Sequence, residues 1–464
     1  MNDSYDILLI TTDQMRADCM GCMGHPLVQT PHLDQLARQA TLFTRAQSSC
    51  PVCIPARTSL ITGRTAYANG SPSFNKNHRI QRPRQQLLGG LLTAAGYQTE
   101  LVGKTHWHLD SSDRAGFEHI TSYSGLKRAR QRLGTGHHHG IGWNELLAMC
   151  SHLPPELNST HWAIDRSIEI LQERDKSQPL FLWTSLIEPH PPTVIHEPYY
   201  SMYQQQVLPE PVLPSWSQDD RCPHAIRALR SGNSHSWSAP FAFDQARAVY
   251  FGMITHVDHQ LGRLFGALIS SGRFDKTIII VTSDHGEFLG DCGTCFKGSV
   301  LASAAWVPLI VRLPPSFETQ RGSRCDRIVS LEDILPTCCD VADAPIPDDI
   351  QGRSLVPLCR NSEATHHEQW HCQIDNQHAF FHDGYKYCWF ADDGRELIFD
   401  AQRDPDDVDN RSADVALRHR LSTAFAAYLQ SLDHPHQHDG KLVMQGTQDI
   451  DPGNVMGWMG LADH

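Results

Sequence analysis

The sequence predicts an α/β fold in which helices sandwich a large, mainly parallel sheet, followed by a smaller antiparallel sheet with a packing helix. Over the first 350 residues, short apolar runs alternate with long helical patterns, which is typical of a parallel sheet covered on both faces. Beyond residue 350 the runs become short, aromatic and β-branched, which favours antiparallel strands. We therefore expect a large domain at residues 1–350 and a small C-terminal α+β subdomain at residues 351–464.

Bounded apolar runs give the predicted strands of the large sheet, at residues 6–12, 99–102, 180–186, 277–282 and 307–313. A helix is predicted over residues 30–40, because Thr30 stands at the N-cap position, Pro31 follows it and apolar residues are spaced for one face. The remaining predictions are a long helix at 243–271, a long loop or insertion at 199–240, small-sheet strands at 377–381 and 385–390, and a final helix at 415–432.

Composition limits the possible partners. The 39 basic and 52 acidic residues give a net charge of -13, which argues against nucleic-acid binding, so an anionic substrate would need a local cationic pocket. No segment approaches the roughly 20 apolar residues of a membrane-spanning helix, so no membrane partner is expected. The N-terminal residues lack a signal-peptide pattern, which predicts a cytoplasmic protein, or a periplasmic or secreted one if a leader was removed. The fourteen cysteines then fit free thiols.

Polar residues follow four of the predicted strands. Asp13 follows the first strand, Lys104 to His108 follow the second, His190 follows the third, and Asp284-His285 follow the strand that ends near Ser283. In open α/β sheets, ligands bind beyond the carboxyl ends of the strands. Four separate segments therefore bring these side chains to one edge of the sheet.

The most specific pattern is Cys53-Ile-Pro-Ala-Arg57, followed by Leu-Ile-Thr-Gly-Arg64. It resembles the signature of the sulfatase family, Cys-x-Pro-x-Arg with a Leu-Thr-Gly-Arg stretch, although Ala56 stands where the family commonly has Ser or Thr. The resemblance implies an alkaline phosphatase-like fold and hydrolysis of sulfate esters. It also implies that a formylglycine-generating enzyme oxidises Cys53 to formylglycine. The hydrated aldehyde carries two hydroxyls, one to attack sulfur and one to expel sulfate afterwards.

Two other interpretations of Cys53 remain open. Most cysteines are small buried thiols, and Cys50-Pro-Val-Cys53 also forms a Cys-x-x-Cys pair, as do Cys19 with Cys22 and Cys292 with Cys295. Such pairs occur in zinc and redox sites. The surrounding signature favours formylglycine. Arg57, one helical turn after Cys53, would then hold the oxygens of the nucleophile by charge-assisted hydrogen bonds.

A cation site is predicted at the ends of the first strand and of the strand near residue 280. Asp13, Gln14, Asp284 and His285, with the oxygen of modified Cys53, suit a hard cation, calcium or alternatively magnesium. The family often has an acidic pair at the end of the first strand. Here Gln14 replaces the second acid, which lowers the negative charge of the site.

Four further residues match the family in order and spacing. Lys104 and His106 lie in Gly-Lys-Thr-His106, which resembles the family's Gly-Lys-x-His motif. The resemblance implies that Lys104 binds sulfate and the formylglycine hydroxyl, and that His106 orients that hydroxyl or accepts its proton. His190 and Lys297 resemble the pair beside the leaving oxygen. His108 is predicted to be a neighbour without a catalytic role.

The leading hypothesis is thus a sulfuric ester hydrolase acting on a small-molecule or saccharide sulfate ester. The alternative is a phosphonate monoester or phosphodiester hydrolase with most of the same pocket, and a third possibility is a binding protein that never matures Cys53. An oligomer is possible. Residues 396–400, 404–406 and 410 resemble the closing segment of sulfatases, which completes the pocket, and the histidines at 137–139 are predicted to form a surface loop.

Overall fold

The structure is a computed structural model that describes residues 5–75, 78–109, 114–132, 146–233 and 240–446. The predicted histidine loop at 137–139 and the last residues of the predicted small subdomain, 447–464, lie outside these ranges. The helices are α1 Pro31–Ala37, α2 Cys53–Thr62, α3 Leu88–Ala94, α4 Ser124–Arg132, α5 Ser159–Glu173, α6 His224–Gly232, α7 Pro240–Ser270, α8 Ala302–Ala305, α9 Ile334–Val341, α10 Val356–Arg360 and α11 Val415–Ser431.

Within the described ranges, the strands form one large sheet, one small sheet and three short pairs. In chain order they are β1 Asp6–Asp13, β2 Thr41–Phe43, β3 Ala46–Gln47, β4 Gln98–Gly103, β5 His119–Thr121, β6 Met149–Cys150, β7 Leu180–Pro189, β8 Val194–Ile195, β9 Thr277–Ser283, β10 Leu309–Arg312, β11 Ser323–Cys325, β12 Val329–Ser330, β13 Gln369–Ile374, β14 Gln377–His382, β15 Tyr385–Phe390, β16 Arg395–Asp400, β17 Gln437–His438 and β18 Lys441–Leu442.

The large sheet has the order β11-β2-β10-β9-β1-β7-β4-β5. Its strands run parallel except β10, which is antiparallel to both of its neighbours. The mainly parallel sheet is therefore confirmed. The strand predicted at 307–313 exists as β10, in the opposite direction to the other predicted strands.

Helices cover both faces of this sheet because its central strands are apolar on both sides. In β1, Ile7 and Leu9 face a core that includes residues of α2, α3 and α9. Leu8 and Ile10 face the opposite core, which α1, α5 and α7 complete. Every residue of β1 is buried, which is why its sequence is a continuous apolar run rather than an alternating one.

The start of α1 differs from the sequence prediction. Thr30 occupies the N-cap position but its side chain makes no capping hydrogen bond; its hydroxyl donates to Asp34 and accepts from a backbone N–H instead. The carboxylate of Asp258, on α7, accepts the backbone N–H groups of His32 and Leu33 at 3.1 and 2.7 Å. A tertiary contact thus replaces the local cap.

The segment at 199–240 is not one long loop, so that prediction is wrong in part. It contains α6, whose Ala225 and Ile226 are buried in an apolar cluster shared with the small sheet. Trp216 in the same segment is buried, and its indole N–H donates to the carbonyl of Asp407 at 2.9 Å. The segment packs against the C-terminal part of the chain.

The small sheet is an antiparallel meander, β13-β14-β15-β16, with α11 packed on one face, as predicted. Its other face joins a core with residues that flank Cys53, including Cys50 and Val52. The β13–β14 hairpin also forms hydrogen bonds with the large domain. The backbone N–H of Gln373 donates to Ser49 O at 3.2 Å, and the Gln377 amide donates to Gly298 O at 2.9 Å. No described helix is long and apolar enough to cross a bilayer.

Candidate active site

Cys53 is the first residue of α2, a helix whose ten residues are all buried. The helix ends at Gly63, which has a left-handed φ of 66° and donates its backbone N–H to Ser59; a glycine accepts this conformation without steric cost. Arg57 follows Cys53 by one turn and points to the same cluster of side chains, as predicted from the spacing. The signature therefore forms a rigid helix that presents its first residue.

Four predicted residues meet at the edge of the large sheet. Potential ligand atoms of Asp13, Cys53, Asp284 and His285 all lie within 4.8 Å of one another, and all four residues are buried. The Cys53 Sγ lies 3.1 Å from His285 Nε2 and 3.7 Å from Asp13 Oδ1. His285 Nδ1 donates to the carbonyl of Gly286 at 2.9 Å, so its Nε2 is the nitrogen that faces the cluster.

This donor set fits a divalent cation. Asp13 Oδ1 and Asp284 Oδ1 lie 3.5 and 3.7 Å from His285 Nε2, so two carboxylates and one imidazole converge on one point. Two buried carboxylates so close together repel each other unless positive charge compensates them. Oxygen-rich donors with one imidazole are a ligand set that hard cations accept.

Arg57 and Lys104 supply positive charge beside these carboxylates. Arg57 Nε donates to Asp284 Oδ2 at 2.8 Å, and its NH2 lies 3.6 Å from Asp13 Oδ2. Another guanidinium nitrogen donates to Ser185 Oγ at 2.7 Å. Lys104 Nζ donates to Asp13 Oδ2. The side chains of Arg57 and Lys104 are thus held in place by Asp13 and Asp284, the same acids that would bind the metal.

Position 53 is built to stabilise negative charge. Burial opposes ionisation of the Cys53 thiol, but Lys104, Lys297 and His285 outweigh burial and hold its pKa well below the usual range. His106 makes a side-chain hydrogen bond to Cys53. Burial, together with Lys104, lowers the pKa of His106 to about 4, so this imidazole is neutral at pH 7.

Gln14, His190 and Lys297 form a second group beside the first. Lys297 Nζ donates to Gln14 Oε1 at 2.5 Å and to His190 Nε2 at 2.7 Å, which is the pairing of His190 with Lys297 expected from the sequence. His190 Nδ1 donates to the carbonyl of Pro191 at 2.6 Å, so its Nε2 is the acceptor. The Gln14 amide donates to Glu287, and Gln14 has a positive φ of 68°. Both ends of the Gln14 amide are therefore engaged outside the carboxylate cluster.

Two acidic residues were missed from the sequence. Glu287 orients Gln14, as above, and is fully buried. Glu188, two residues before His190, is also buried. It contacts His256 Nδ1 at 2.9 Å and accepts a hydrogen bond from Asn158. Each acid lies two residues from a predicted site residue, in a run of residues that are otherwise buried. A charged residue inside such a run is the signal that could have identified them.

Histidine 108 lies beside the site without entering it. Its Nε2 is 2.7 Å from Ser71 Oγ and its Nδ1 is 3.2 Å from the carbonyl of His78. Its backbone N–H donates to Thr58 Oγ1, on α2, at 2.9 Å. The contacts join the segment after β4 to the helix that carries Cys53, so the role is structural.

The Cys-x-x-Cys pairs form no disulfide, since all fourteen cysteines are free thiols. Among the described residues, the side-chain groups with metal-binding geometry contain only one cysteine, Cys53. Burial raises the pKa of Cys50 well above its usual range, the opposite of the change at Cys53. The two cysteines of this pair therefore have different environments.

The chain matches known proteins over most of its length. Residues 5–344 match the family model described as Sulfatase, and residues 290–432 match that of the N-sulphoglucosamine sulphohydrolase C-terminal region. An arylsulfatase from Clostridium perfringens is 29% identical, over 95% of this chain and 97% of that protein. The multifunctional alkaline phosphatase superfamily protein PehA from Trinickia caryophylli is 28% identical, over 89% of this chain and 92% of its own length.

Solved structures share the fold. A phosphonate monoester hydrolase from Silicibacter pomeroyi superposes with a TM-score of 0.79 at 24% identity, covering 92% of this chain and 96% of that one. Because the Sulfatase model covers well over half of the sequence and the residues of its signature converge on one buried cluster, the chain belongs to the sulfatase family of the alkaline phosphatase-like superfamily and is a sulfuric ester hydrolase.

Proposed function

We propose that this enzyme hydrolyses sulfate monoesters, in particular those of sulfated carbohydrates, with a formylglycine formed from Cys53 and a bound divalent cation. The single observation that carries the proposal is the position of Cys53 Sγ. It lies 3.1 Å from His285 Nε2 at the meeting point of two buried carboxylates, where Lys104 and Lys297 favour negative charge. A structural thiol has no need of this environment.

The chemistry at position 53 follows from the aldehyde. When formed, its hydrate supplies one hydroxyl that attacks sulfur and a second whose deprotonation breaks the bond to sulfate and restores the aldehyde. The residues around it hold and move protons. His106, neutral at pH 7 and hydrogen-bonded to position 53, accepts the proton of a hydroxyl. Arg57 and Lys104 meet the charge that spreads over the nonbridging sulfate oxygens.

Asp13, Asp284 and His285 would hold calcium or magnesium, which when bound supplies positive charge to the sulfate oxygens and to the oxygens of residue 53. Gln14 was predicted as a further ligand. Its side-chain oxygen accepts from Lys297, so we assign it to orienting that lysine and assign the ligand role to the other three residues and residue 53. Removal of the cation with EDTA should abolish turnover, and calcium or magnesium should restore it.

Departure of the alcohol needs a proton on the bridging oxygen. Lys297 Nζ and His190 Nε2 share a hydrogen bond of 2.7 Å, and the ammonium is the partner that carries the proton. We assign Lys297, supported by His190, as the acid that protonates the oxygen as the bond from sulfur to oxygen breaks. The alcohol leaves with this proton; of the two hydroxyl protons that the hydrate loses, one restores the ammonium of Lys297 and the other is released with sulfate, and one water rehydrates the aldehyde.

The substrate class rests on the second family match. Residues 290–432, which include Lys297 and the small sheet, match the C-terminal model of N-sulphoglucosamine sulphohydrolase. This favours a sulfated sugar over a simple aryl sulfate. The second candidate is phosphonate monoester or phosphodiester hydrolysis, because a solved phosphonate monoester hydrolase has the same fold. Parallel kcat/KM measurements on a sugar sulfate, an aryl sulfate and an aryl phosphonate monoester decide between them; a higher value for the phosphonate would reject our ranking.

The nucleophile is tested by a pair of variants. Cys53→Ala should abolish turnover and leave the fold intact, whereas Cys50→Ala should retain activity, because only residue 53 is oxidised. A redox or zinc role for the Cys-x-x-Cys pair predicts that both variants fail. Mass spectrometry of the peptide that contains residue 53, from protein made together with a formylglycine-generating enzyme, should show loss of the thiol and gain of the aldehyde. An unmodified thiol in fully active protein would contradict the proposal.

A further inference from the structure

The backbone on both sides of Lys297 is left-handed. Phe296 has a φ of 70° and Gly298 has a φ of 94°. Glycine adopts this conformation without steric cost, whereas a phenylalanine keeps it only where the surrounding structure holds it in place. The place of the Lys297 ammonium beside His190 therefore depends on the contacts that fix the residues before and after the lysine.

The segment that follows β9 fixes the residue before Lys297. The backbone N–H of Phe296 donates to the buried carboxylate of Glu287. The carbonyl of Phe296 accepts the backbone N–H of Phe288 at 2.8 Å. This anchor is local, because all of these residues belong to one stretch of the chain, 287–297.

The small sheet fixes the residues after Lys297. Gln377 is the first residue of β14 and is 5% exposed. Its amide N–H donates to Gly298 O at 2.9 Å, and its amide oxygen accepts the hydroxyl of Ser299 at 2.9 Å. Both ends of one side chain therefore bind the two residues that directly follow the lysine.

Gly298 also joins the lysine to the nucleophile position. Its backbone N–H donates to Pro51 O at 3.1 Å, and Pro51 lies two residues before Cys53. The carbonyl of the same glycine is the group that Gln377 binds. A shift of Gly298 would therefore change the position of Lys297 relative to residue 53, and the Gln377 amide opposes that shift.

The simpler explanation is that Gln377 only attaches the small sheet to the large domain. Gln373, on the same hairpin, makes an attachment of that kind, since its backbone N–H donates to Ser49 O at 3.2 Å. Any residue other than proline could make that contact. The contacts of Gln377 instead need a side-chain amide, which donates to a carbonyl at one end and accepts from a hydroxyl at the other. Both contacts fall on the residues that follow Lys297.

We propose that Gln377 is a positioning residue for Lys297, and that it acts through Gly298 and Ser299 to hold the ammonium where the alcohol leaves. The role of Lys297 as the acid comes from the proposed function, on which this inference rests. A displacement of about 1 Å in a catalytic group costs on the order of 100-fold in rate. The small sheet thus takes part in catalysis through the backbone of the large domain.

Gln377→Met tests the inference, because methionine keeps the length of the side chain and removes both hydrogen bonds. The assay is single-turnover kcat/KM on the sulfate ester of an unactivated alcohol. Each rate is divided by the formylglycine content of the preparation, so that incomplete maturation does not count as lost activity. The variant should lose about 10- to 100-fold when Lys297 is present. In the Lys297→Ala background it should lose less than about twofold, since no ammonium is left to position.

Tyr387→Phe is the matched control. It removes a buried hydrogen bond of 2.6 Å to Glu396, on the face of the small sheet that packs against α11, and should change the rate by less than about twofold in either background. If Gln377→Met does not fold, Ser299→Ala removes one of the two bonds with a smaller change, and should lose at least about threefold with the same dependence on Lys297. Equal losses in both backgrounds, or a folded Gln377→Met with full activity, would overturn the inference.

Failure of the proposed function gives a different result. If Lys297 bound sulfate instead of protonating the alcohol, Lys297→Ala would lose the same factor on an activated phenol sulfate as on the alcohol sulfate. The loss in Gln377→Met would still disappear in the Lys297→Ala background, because that comparison reports only the coupling between the two residues. If an aryl phosphonate monoester proves the better substrate, the same four proteins are compared on that ester.

Discussion

Lys297→Ala tests the assignment of the leaving-group acid. In the structure Lys297 is half-buried, and its two hydrogen bonds go to the amide oxygen of Gln14 at 2.5 Å and to a ring nitrogen of His190 at 2.7 Å. Removing it therefore breaks no ion pair with a carboxylate, and the loss of stability should be about 1.5–3 kcal/mol, the range for hydrogen bonds to a charged group. The loss of general-acid catalysis should cost about 10²- to 10⁴-fold in rate, or about 2.7–5.4 kcal/mol of barrier.

The assay is kcat/KM across sulfate esters whose leaving groups range from an activated phenol to an unactivated alcohol. An activated phenolate departs without a proton, so we expect Lys297→Ala to lose little activity on that ester and the full factor on the alcohol sulfate. Lys176→Ala, a change at an exposed lysine far along the chain, is the control. An equal loss with every leaving group would refute the reasoning, because it would place Lys297 in sulfate binding instead.

Three further experiments test how buried ionisable side chains affect stability. Arg57→Ala, which removes a 1% exposed partner of Asp284, should lower the free energy of unfolding in cation-free urea titrations by about 3–5 kcal/mol; a loss under about 1 kcal/mol would contradict this. Lys386→Met leaves the buried Asp407 carboxylate without its ion-pair partner and should lower the free energy of unfolding by a similar amount. Asp407→Asn should restore part of this loss in the double variant. Burial lowers the pKa of His108 to about 4, so the unfolded chain, with its ordinary histidine pKa near 6.5, binds the proton first and stability falls as pH drops from about 6.5 towards 4. Near pH 5.2, midway between the two pKa values, this slope should exceed that of His108→Gln by about 1.2 kcal/mol per pH unit; equal slopes would exclude His108 as a cause.

The large sheet was predictable where burial alone determines the sequence. Strands β1 and β9 are apolar on both faces and appear within a residue or two of their predicted bounds. The reversed direction of β10 was not predictable, because an apolar run carries no sign of its orientation. The residue that caps α1 could not be predicted either, because Asp258 lies more than 200 residues away in the chain.

The candidate site was predictable at the level of residue type and order, because each motif follows a strand and parallel strands end at one edge. What the sequence could not assign was the partner of each side chain. Gln14 was itself predicted as a metal ligand, yet its amide contacts Lys297 and Glu287, at sequence separations above 270 residues. Such pairings depend on how β1 and the segment after β9 meet in three dimensions.

If Cys53 is oxidised to formylglycine as we propose, its burial, at only 3% exposed at the start of α2, limits the time in which an enzyme can reach the thiol. An oxidising enzyme cannot reach this thiol once the hairpin that contains Gln373 and Gln377 has bound the flanking backbone. More than 300 residues separate Cys53 from that hairpin, and a ribosome adding about 5–20 residues per second needs roughly 16–65 s to make them. Under the proposed mechanism, oxidation of Cys53 would have to precede synthesis and docking of the hairpin, and faster elongation or slower oxidation would leave a larger share of chains folded without formylglycine.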